Sequence, residues 1–135
     1  MSYLTEERLM IQQTAREFSL KEVLPVANEL DKIKGDIPMD LRDKMGQLGY
    51  FGMRIAERYG GAELGVFEYI LVTEELARSW MSVASIIARG NGLGGGFSDE
   101  QKQNYLPRMA RGEFLGAVAL SEADAGSDLA KIQCR

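Results

Sequence analysis

Histidine is absent from this chain of 135 residues, and the only cysteine is Cys134. Without histidine, the chain cannot contain a Ser-His-Asp or Cys-His catalytic site or a histidine-ligated metal site. A single cysteine forms neither an internal disulfide nor a cysteine-rich zinc site, so we expect a reducing compartment, by default the cytoplasm, and no metal site. Acid–base chemistry in this chain would have to use carboxylates, lysine or tyrosine.

Long apolar runs and an excess of positive charge are also missing. No apolar stretch approaches the roughly 20 residues that a membrane-spanning helix needs. Residues 1–7 lack the positive region and apolar core of a signal peptide. With 16 basic and 20 acidic residues, the net charge of −4 leaves no basic stripe for nucleic-acid phosphates. We therefore expect neither a membrane protein nor a nucleic-acid binder.

What the sequence does contain is a strong helical pattern. Its hydrophobic periodicity predicts a mainly α fold, an up-and-down bundle of five or six helices with a short β segment at the C-terminal end. Thr5 and the capping box formed by Ser98 and Gln101 are the clearest helix starts. The most apolar segment runs from Val66 to Ser79, which indicates a central helix. Other helices are predicted at residues 5–18, 19–34, 36–48, 82–89 and 98–105.

Three features interrupt this helical pattern. Ser19 and Glu22 have the spacing of a capping box, which predicts that the first helix bends and restarts there. Pro107 predicts a bend or a restart in the last helix. The paired glycines of the Tyr59–Gly61 turn are interpreted as structural, since glycine allows a positive φ and close packing.

From Leu115 onward the periodicity changes from helix to strand. An apolar run ends in Ser121 and Glu122, and a turn of small residues follows. Because one strand cannot form a stable sheet alone, we expect its partner strands to lie beyond residue 135. The predicted domains are therefore a helical domain at residues 1–112 and, at residues 113–135, the beginning of a truncated β domain.

The end of the apolar run is the strongest candidate site. A strand edge presents main-chain N–H and C=O groups to a flat polar ligand, and the glycine of Gly126–Ser127 lets backbone and hydroxyl approach a phosphate. These residues predict a half-site for a flavin or a nucleotide. The alternatives are that the Ser121 hydroxyl caps the following turn and that Gly126–Ser127 is a simple turn. Glu122 and Asp128 are interpreted as loop anchors rather than as a catalytic pair.

The glycine-rich residues 90–95 match the pattern G-x-G-x-x-G, which suggests a second kind of nucleotide site. A Rossmann site needs a preceding strand and an immediately following helix. The next predicted helix begins with Asp99 and Glu100, whose charges would repel a pyrophosphate. We therefore interpret these glycines as a tight connection between helices.

The stretch from Leu120 to Asp128 resembles the flavin-contacting signature of the acyl-CoA dehydrogenase family. That signature runs apolar, Ser or Thr, Glu, two variable residues, small, Gly, Ser or Thr, Asp, and the stretch matches every fixed position. Further segments agree in order and spacing, so that the resemblance covers essentially the whole chain. These segments are Glu57–Gly61, Glu74–Arg78, Asp99–Lys102 and Tyr105–Pro107.

This resemblance implies the N-terminal part of an FAD-dependent acyl-CoA dehydrogenase, which oxidises an acyl-CoA thioester to its α,β-unsaturated product and is reoxidised by an electron-transfer flavoprotein. The implied cofactor contacts are Val118, Leu120, Ser121, Gly126 and Ser127. Ser121 would lie against the flavin N5 edge, and Ser127 and Met81 would contact the acyl-CoA. By composition alone, the region of Met81 would belong to the core. The catalytic glutamate of the family belongs to its C-terminal part, so no catalytic residue is expected in this chain. The whole enzyme would be a homotetramer, and this chain alone would neither turn over substrate nor hold FAD tightly.

Two alternatives stay open at this point. Acyl-CoA oxidases and flavin monooxygenases share the architecture, but their reduced flavin reacts with oxygen. From another class, the chain could be a complete helical interaction module without catalysis.

The family also commonly has several more residues in the 90–96 connection, a difference that is expected to change the wall of the acyl pocket.

Overall fold

The computed structural model describes residues 3–91 and 94–134, which form a helical body followed by an irregular C-terminal segment. The α-helices within these ranges are α1 (Glu6–Phe18), α2 (Leu24–Leu30), α3 (Met39–Gln47), α4 (Val66–Ser79), α5 (Met81–Asn91) and α6 (Asp99–Ala110). Short 3-10 turns lie at Asp31–Ile33, Tyr50–Gly52, Glu57–Tyr59 and Leu129–Lys131. The predicted mainly α fold is confirmed. None of the helices in the described ranges is long and apolar enough to cross a bilayer.

The first two helices form one continuous rod, because a π-helical turn at Ser19–Val23 joins α1 to α2. The capping-box interpretation of Ser19 is wrong, since Ser19 has helical backbone angles and its side chain does not cap the start of a helix. Its buried hydroxyl instead donates to the main-chain carbonyl of Glu75 at 2.6 Å and lies 2.7 Å from the hydroxyl of Ser79. A π-turn accommodates one extra residue without ending the helix, so the rod continues while Ser19 contacts α4.

The other predicted helix ends are mostly confirmed. Thr5 accepts a hydrogen bond from the Arg8 amide at 3.3 Å, and Ser98 forms a reciprocal capping box with Gln101. α6 does not restart at Pro107 but continues through it to Ala110. The glycine connection predicted at 90–96 includes residues 92 and 93, which lie outside the described residues. Its first residues instead form the end of α5, so a helix rather than a strand precedes the G-x-G-x-x-G pattern.

α4 occupies the centre of the bundle, as its apolar sequence predicts, and packs against α1 on one side and α5 on the other. The main core is made of fully or nearly fully buried apolar side chains, which include Ala15, Met45, Phe51, Val72, Leu76, Val83 and Ile87. A smaller cluster around Leu106 and Met109 attaches α6 to the segment at Ile55. The bundle therefore forms a packed support for the segment that leaves it at Leu115.

A buried carboxylate connects α4 to α1. Glu75 is only 2% exposed and accepts hydrogen bonds from Arg16 Nε at 3.1 Å and Nη2 at 2.8 Å. The side-chain amide of Gln12 adds a third hydrogen bond at 3.0 Å. The hydrogen bonds and charge of Arg16 hold the pKa of Glu75 below its ordinary value. A charge buried in this way needs its partners, so Glu75 fixes the packing of the two helices.

The predicted β segment differs from expectation within the described residues. Residues 115–121 have no regular secondary structure, and the only β feature in residues 3–91 and 94–134 is an isolated antiparallel bridge between Glu122 and Ala125. The physical reason is that a sheet needs at least one neighbouring strand, and the helical body offers none. The segment is attached to the body where the Gly116 amide donates to the Arg89 carbonyl at 3.1 Å.

Candidate functional site

The residues predicted to contact a cofactor lie together on the C-terminal segment, outside the helical body. Val118 and Leu120 are 60% and 52% exposed, and Ser121, Gly126 and Ser127 are exposed as well. Neither serine hydroxyl is hydrogen-bonded to another described residue. Both hydroxyls and both apolar side chains are therefore accessible to a ligand.

The main chain of the same segment is also unpaired. The Gly116 amide is bonded to the body, and the Glu122 amide donates to the Ala125 carbonyl at 2.8 Å. Between these two points, the amide and carbonyl groups of residues 117–121 make no hydrogen bond to other described residues. Since main-chain polar groups in folded proteins are bonded to protein, water or ligand, this stretch can bind a ligand along its backbone.

Glu122 holds the following loop in place. Its carboxylate accepts hydrogen bonds from the amides of Gln133 at 3.0 Å and Cys134 at 2.8 Å, which lower the pKa of Glu122. Asp128 lies 3.5 Å from the ammonium group of Lys131 in the same loop. These contacts are the kind expected of loop anchors, and Gly126–Ser127 are exposed on the same loop.

Gly126 has no structural reason to be glycine within the described residues. A Cβ added there would meet no atom within 4 Å, and its φ lies outside the left-handed region. This open space lets a bulky group approach the backbone closely. Together with the hydroxyls, the unpaired amides and the exposed Val118 and Leu120, it fits a flavin nucleotide, which has an apolar ring face, a polar ring edge and a pyrophosphate.

Met81, predicted to contact substrate, lies in a different place. It is the first residue of α5, is 69% exposed and lines a pocket of about 240 Å³. In that pocket, the indole of Trp80 donates to Asp31 at 2.9 Å and so fixes the junction of α4 and α5. The five predicted cofactor residues therefore all lie exposed on the C-terminal segment, and Met81 lies on the helical body. Among the described residues, no cluster of Cys, Asp and Glu is arranged to hold a metal ion.

The sequence does not predict an apolar groove of about 260 Å³ that lies between α1 and the connection at residues 48–64. Its lining includes Met10, Ile11, Leu64 and Val72. Tyr50 also lines the groove, is 5% exposed, and its hydroxyl has no hydrogen-bond partner among the described residues. Burial raises the pKa of Tyr50 to about 12. Tyr50 lies in a glycine-rich connection without periodicity, so no sequence signal could have placed it here.

Replacing Tyr50 with phenylalanine should stabilise the protein by about 1 kcal/mol at pH 7, because it removes a buried hydroxyl that lacks a partner. The wild-type protein should also lose stability as the pH rises from about 10 through about 12, since the unfolded tyrosine ionises first and the buried one last. Urea unfolding of wild type and Tyr50→Phe at pH 7 and at high pH measures both effects. The control is Tyr3→Phe, at a residue that is 80% exposed. It should change neither the stability at pH 7 nor the loss of stability at high pH. Destabilisation by Tyr50→Phe would show that the hydroxyl does have a partner.

Comparison with known proteins gives consistent matches over nearly the whole chain. Residues 5–113 match the family described as "Acyl-CoA dehydrogenase, N-terminal domain". The short-chain specific acyl-CoA dehydrogenase of Clostridium acetobutylicum is 38% identical over 130 residues, which cover 93% of this chain and 34% of that protein. The chain spans about a third of the length of the curated relatives that it matches.

Solved structures agree with the sequence matches. The acyl-CoA dehydrogenase of Bacillus anthracis complexed with FAD superposes with a TM-score of 0.83 at 32% identity, over 97% of this chain and 23% of that one. A chain from a structural study of the electron transferring flavoprotein of Acidaminococcus fermentans superposes with a TM-score of 0.86 at 36% identity, over 97% of this chain and 36% of that one.

Proposed function

This chain belongs to the acyl-CoA dehydrogenase family, and we propose that it forms the helical N-terminal part, and the beginning of the flavin site, of an FAD-dependent acyl-CoA dehydrogenase. The observation that carries this proposal is the exposed stretch 117–121, whose main-chain groups and serine hydroxyl are unpaired, next to a loop that Glu122 holds closed. A relative of the same fold binds FAD, which supports the choice of cofactor.

Each of the site residues has a distinct role in this proposal. Val118 and Leu120 cover an apolar face of the flavin ring, and the hydroxyl and amide of Ser121 bind its polar N5 edge. Gly126 and Ser127 approach the pyrophosphate. FAD, when bound, accepts a hydride from the acyl group. A fixed donor at the ring edge stabilises the charge that develops there, which is the contribution of this chain to the reaction.

The proposed substrate is an acyl-CoA thioester, contacted by Met81 and Ser127 and converted to its α,β-unsaturated product. In this proposal, the base that removes the α-proton lies outside the 135 residues of this chain. Electrons then pass to an electron-transfer flavoprotein, and the whole enzyme is a cytoplasmic homotetramer. The similarity to a chain studied together with such a flavoprotein supports this electron acceptor.

The Ser121→Ala variant tests the flavin site in the whole protein that the gene encodes. We expect its FAD affinity to fall about 5- to 10-fold, the equivalent of one lost hydrogen bond, together with a shift in the flavin absorption spectrum. Equilibrium dialysis and absorption spectroscopy measure the two effects. Ser85→Ala, at an exposed position of α5, is the matched control.

The 135-residue chain alone is the second arm of this experiment, and we expect it to bind FAD weakly or not at all. If Ser121→Ala and Ser85→Ala bound FAD with the same affinity and gave the same spectrum, Ser121 would not contact the ring. Tight stoichiometric binding by the chain alone would contradict the proposal that the site needs further residues.

A further inference from the structure

Arg42 on α3 is a partly buried cation without a counter-ion among the described residues. Its Nε is shielded from solvent and has no hydrogen-bond partner. All other nitrogens of its guanidinium group likewise lack a salt bridge within residues 3–91 and 94–134. A buried N–H group without a hydrogen-bond partner is destabilising, because it has lost water and gained nothing in exchange. The Nε–H of Arg42 therefore needs an acceptor that the described residues do not supply.

Arg42 lines a pocket between α3 and α5 with a volume of about 370 Å³, within the range of roughly 300–1,000 Å³ that is typical of small-molecule sites. Three apolar side chains, Ile37, Ile86 and Leu115, form its walls and also pack against the main core. Ser82, on α5, adds a hydroxyl-bearing side chain to the lining. The pocket thus combines apolar walls with one cation, one hydroxyl and the carboxylate of Asp36.

We propose that this pocket binds a carboxylate carried on a short apolar stem, with the carboxylate on Arg42 and the stem between the apolar walls. A guanidinium group matches a carboxylate because two parallel N–H groups can donate to its two oxygens. Asp36 also lines the pocket, but it is exposed and forms no salt bridge with Arg42. Its negative charge favours a monoanion over a doubly charged phosphate.

Two sources can supply this carboxylate. One is a small free carboxylic acid. The other is the distal carboxylate of the acyl group on the proposed acyl-CoA substrate, an alternative that rests on the proposed function. Ser82 directly follows Met81, the residue proposed to contact the acyl-CoA, so the pocket lies next to the proposed substrate region.

Calorimetric titration of the protein with butyrate and with its neutral analogue butyramide tests the site directly. Butyrate should bind to wild type, whereas butyramide binding and butyrate binding to Arg42→Met should be at least about tenfold weaker. The control variant is Arg54→Met, which removes an exposed arginine outside the pocket and should leave butyrate binding unchanged. Equal binding of butyrate to wild type and Arg42→Met, the absence of butyrate binding, or equal binding of inorganic phosphate would overturn the proposal.

Titration of the whole encoded protein with hexanoyl-CoA and with adipoyl-CoA, which carries a terminal carboxylate at the same chain length, separates the two sources. If Arg42→Met weakens only adipoyl-CoA binding, the carboxylate belongs to the acyl group. If it weakens butyrate binding but neither thioester, the ligand is a free acid. If the wild-type protein bound butyrate but neither thioester, this result would count against the proposed function and would leave the pocket assignment standing.

Discussion

Replacing Gly61 with alanine should destabilise the protein by about 3 kcal/mol or more. A Cβ at Gly61 would overlap the main-chain carbonyl of Ile55, so a backbone segment rather than a flexible side chain would have to move. That segment is held on both sides, because the Ala62 amide donates to the Gly52 carbonyl at 3.0 Å and the Glu63 amide donates to the Ile55 carbonyl at 3.0 Å. The clash therefore cannot be relieved by a small local shift.

The neighbouring Gly60 is the matched control for this prediction. Its φ of +79° lies in the left-handed region, but an added Cβ there would meet no atom within 4 Å. Gly60→Ala should therefore cost only about 1 kcal/mol, the penalty of placing alanine in that region. Urea unfolding of the two variants compares their free energies of unfolding. If both lost the same amount of stability, the close packing of Gly61 on Ile55 would not be the reason for its glycine.

The sequence predicts best those elements whose causes are local. The α4 bounds, Val66–Ser79, follow from an apolar stripe in neighbouring turns, and the Ser98 capping box involves residues only three positions apart. The same holds for the Tyr59–Gly61 turn. Gly60 has a positive φ, which favours glycine, and Gly61 packs too closely on Ile55 to accept a Cβ. Each of these features is determined by interactions within a few residues of itself.

Features that depend on distant residues could not be predicted in this way. In the π-turn, the hydroxyl of Ser19 donates to the main-chain carbonyl of Glu75, which is 56 positions away. The local spacing of Ser19 and Glu22 predicts a helix cap instead. The buried site of Tyr50 and the unpaired Arg42 likewise arise from the packing of separate helices. The candidate site at Ser121 rests on its motif and stays a prediction, and the strand predicted there does not form because the helical body provides no neighbouring strand.

Replacing Glu75 with glutamine should destabilise the protein by about 2 kcal/mol at pH 7, since hydrogen bonds to a charged group contribute roughly 1.5–3 kcal/mol. The side chain stays the same size, but one carboxylate oxygen becomes an NH₂ group. This group would face the N–H donors of Arg16, which now bond to both oxygens. The hydroxyl contact of Ser19 uses the main-chain carbonyl and would remain, so the loss reports the carboxylate alone.

The pH dependence of the Glu75→Gln effect separates charge from packing. The pKa of Glu75 lies below its ordinary value of 4.5 when the protein is folded, so its stabilising effect is complete above about pH 4.5 and is lost as the pH falls through the lowered pKa. Wild type and Glu75→Gln should therefore differ most near pH 7 and converge in strong acid, as measured by urea unfolding across this range. Glu17→Gln, which removes an exposed carboxylate paired with Lys21, should have little effect at any pH. A difference between wild type and Glu75→Gln that is independent of pH would mean that shape, rather than the ion pair with Arg16, holds α4 against α1.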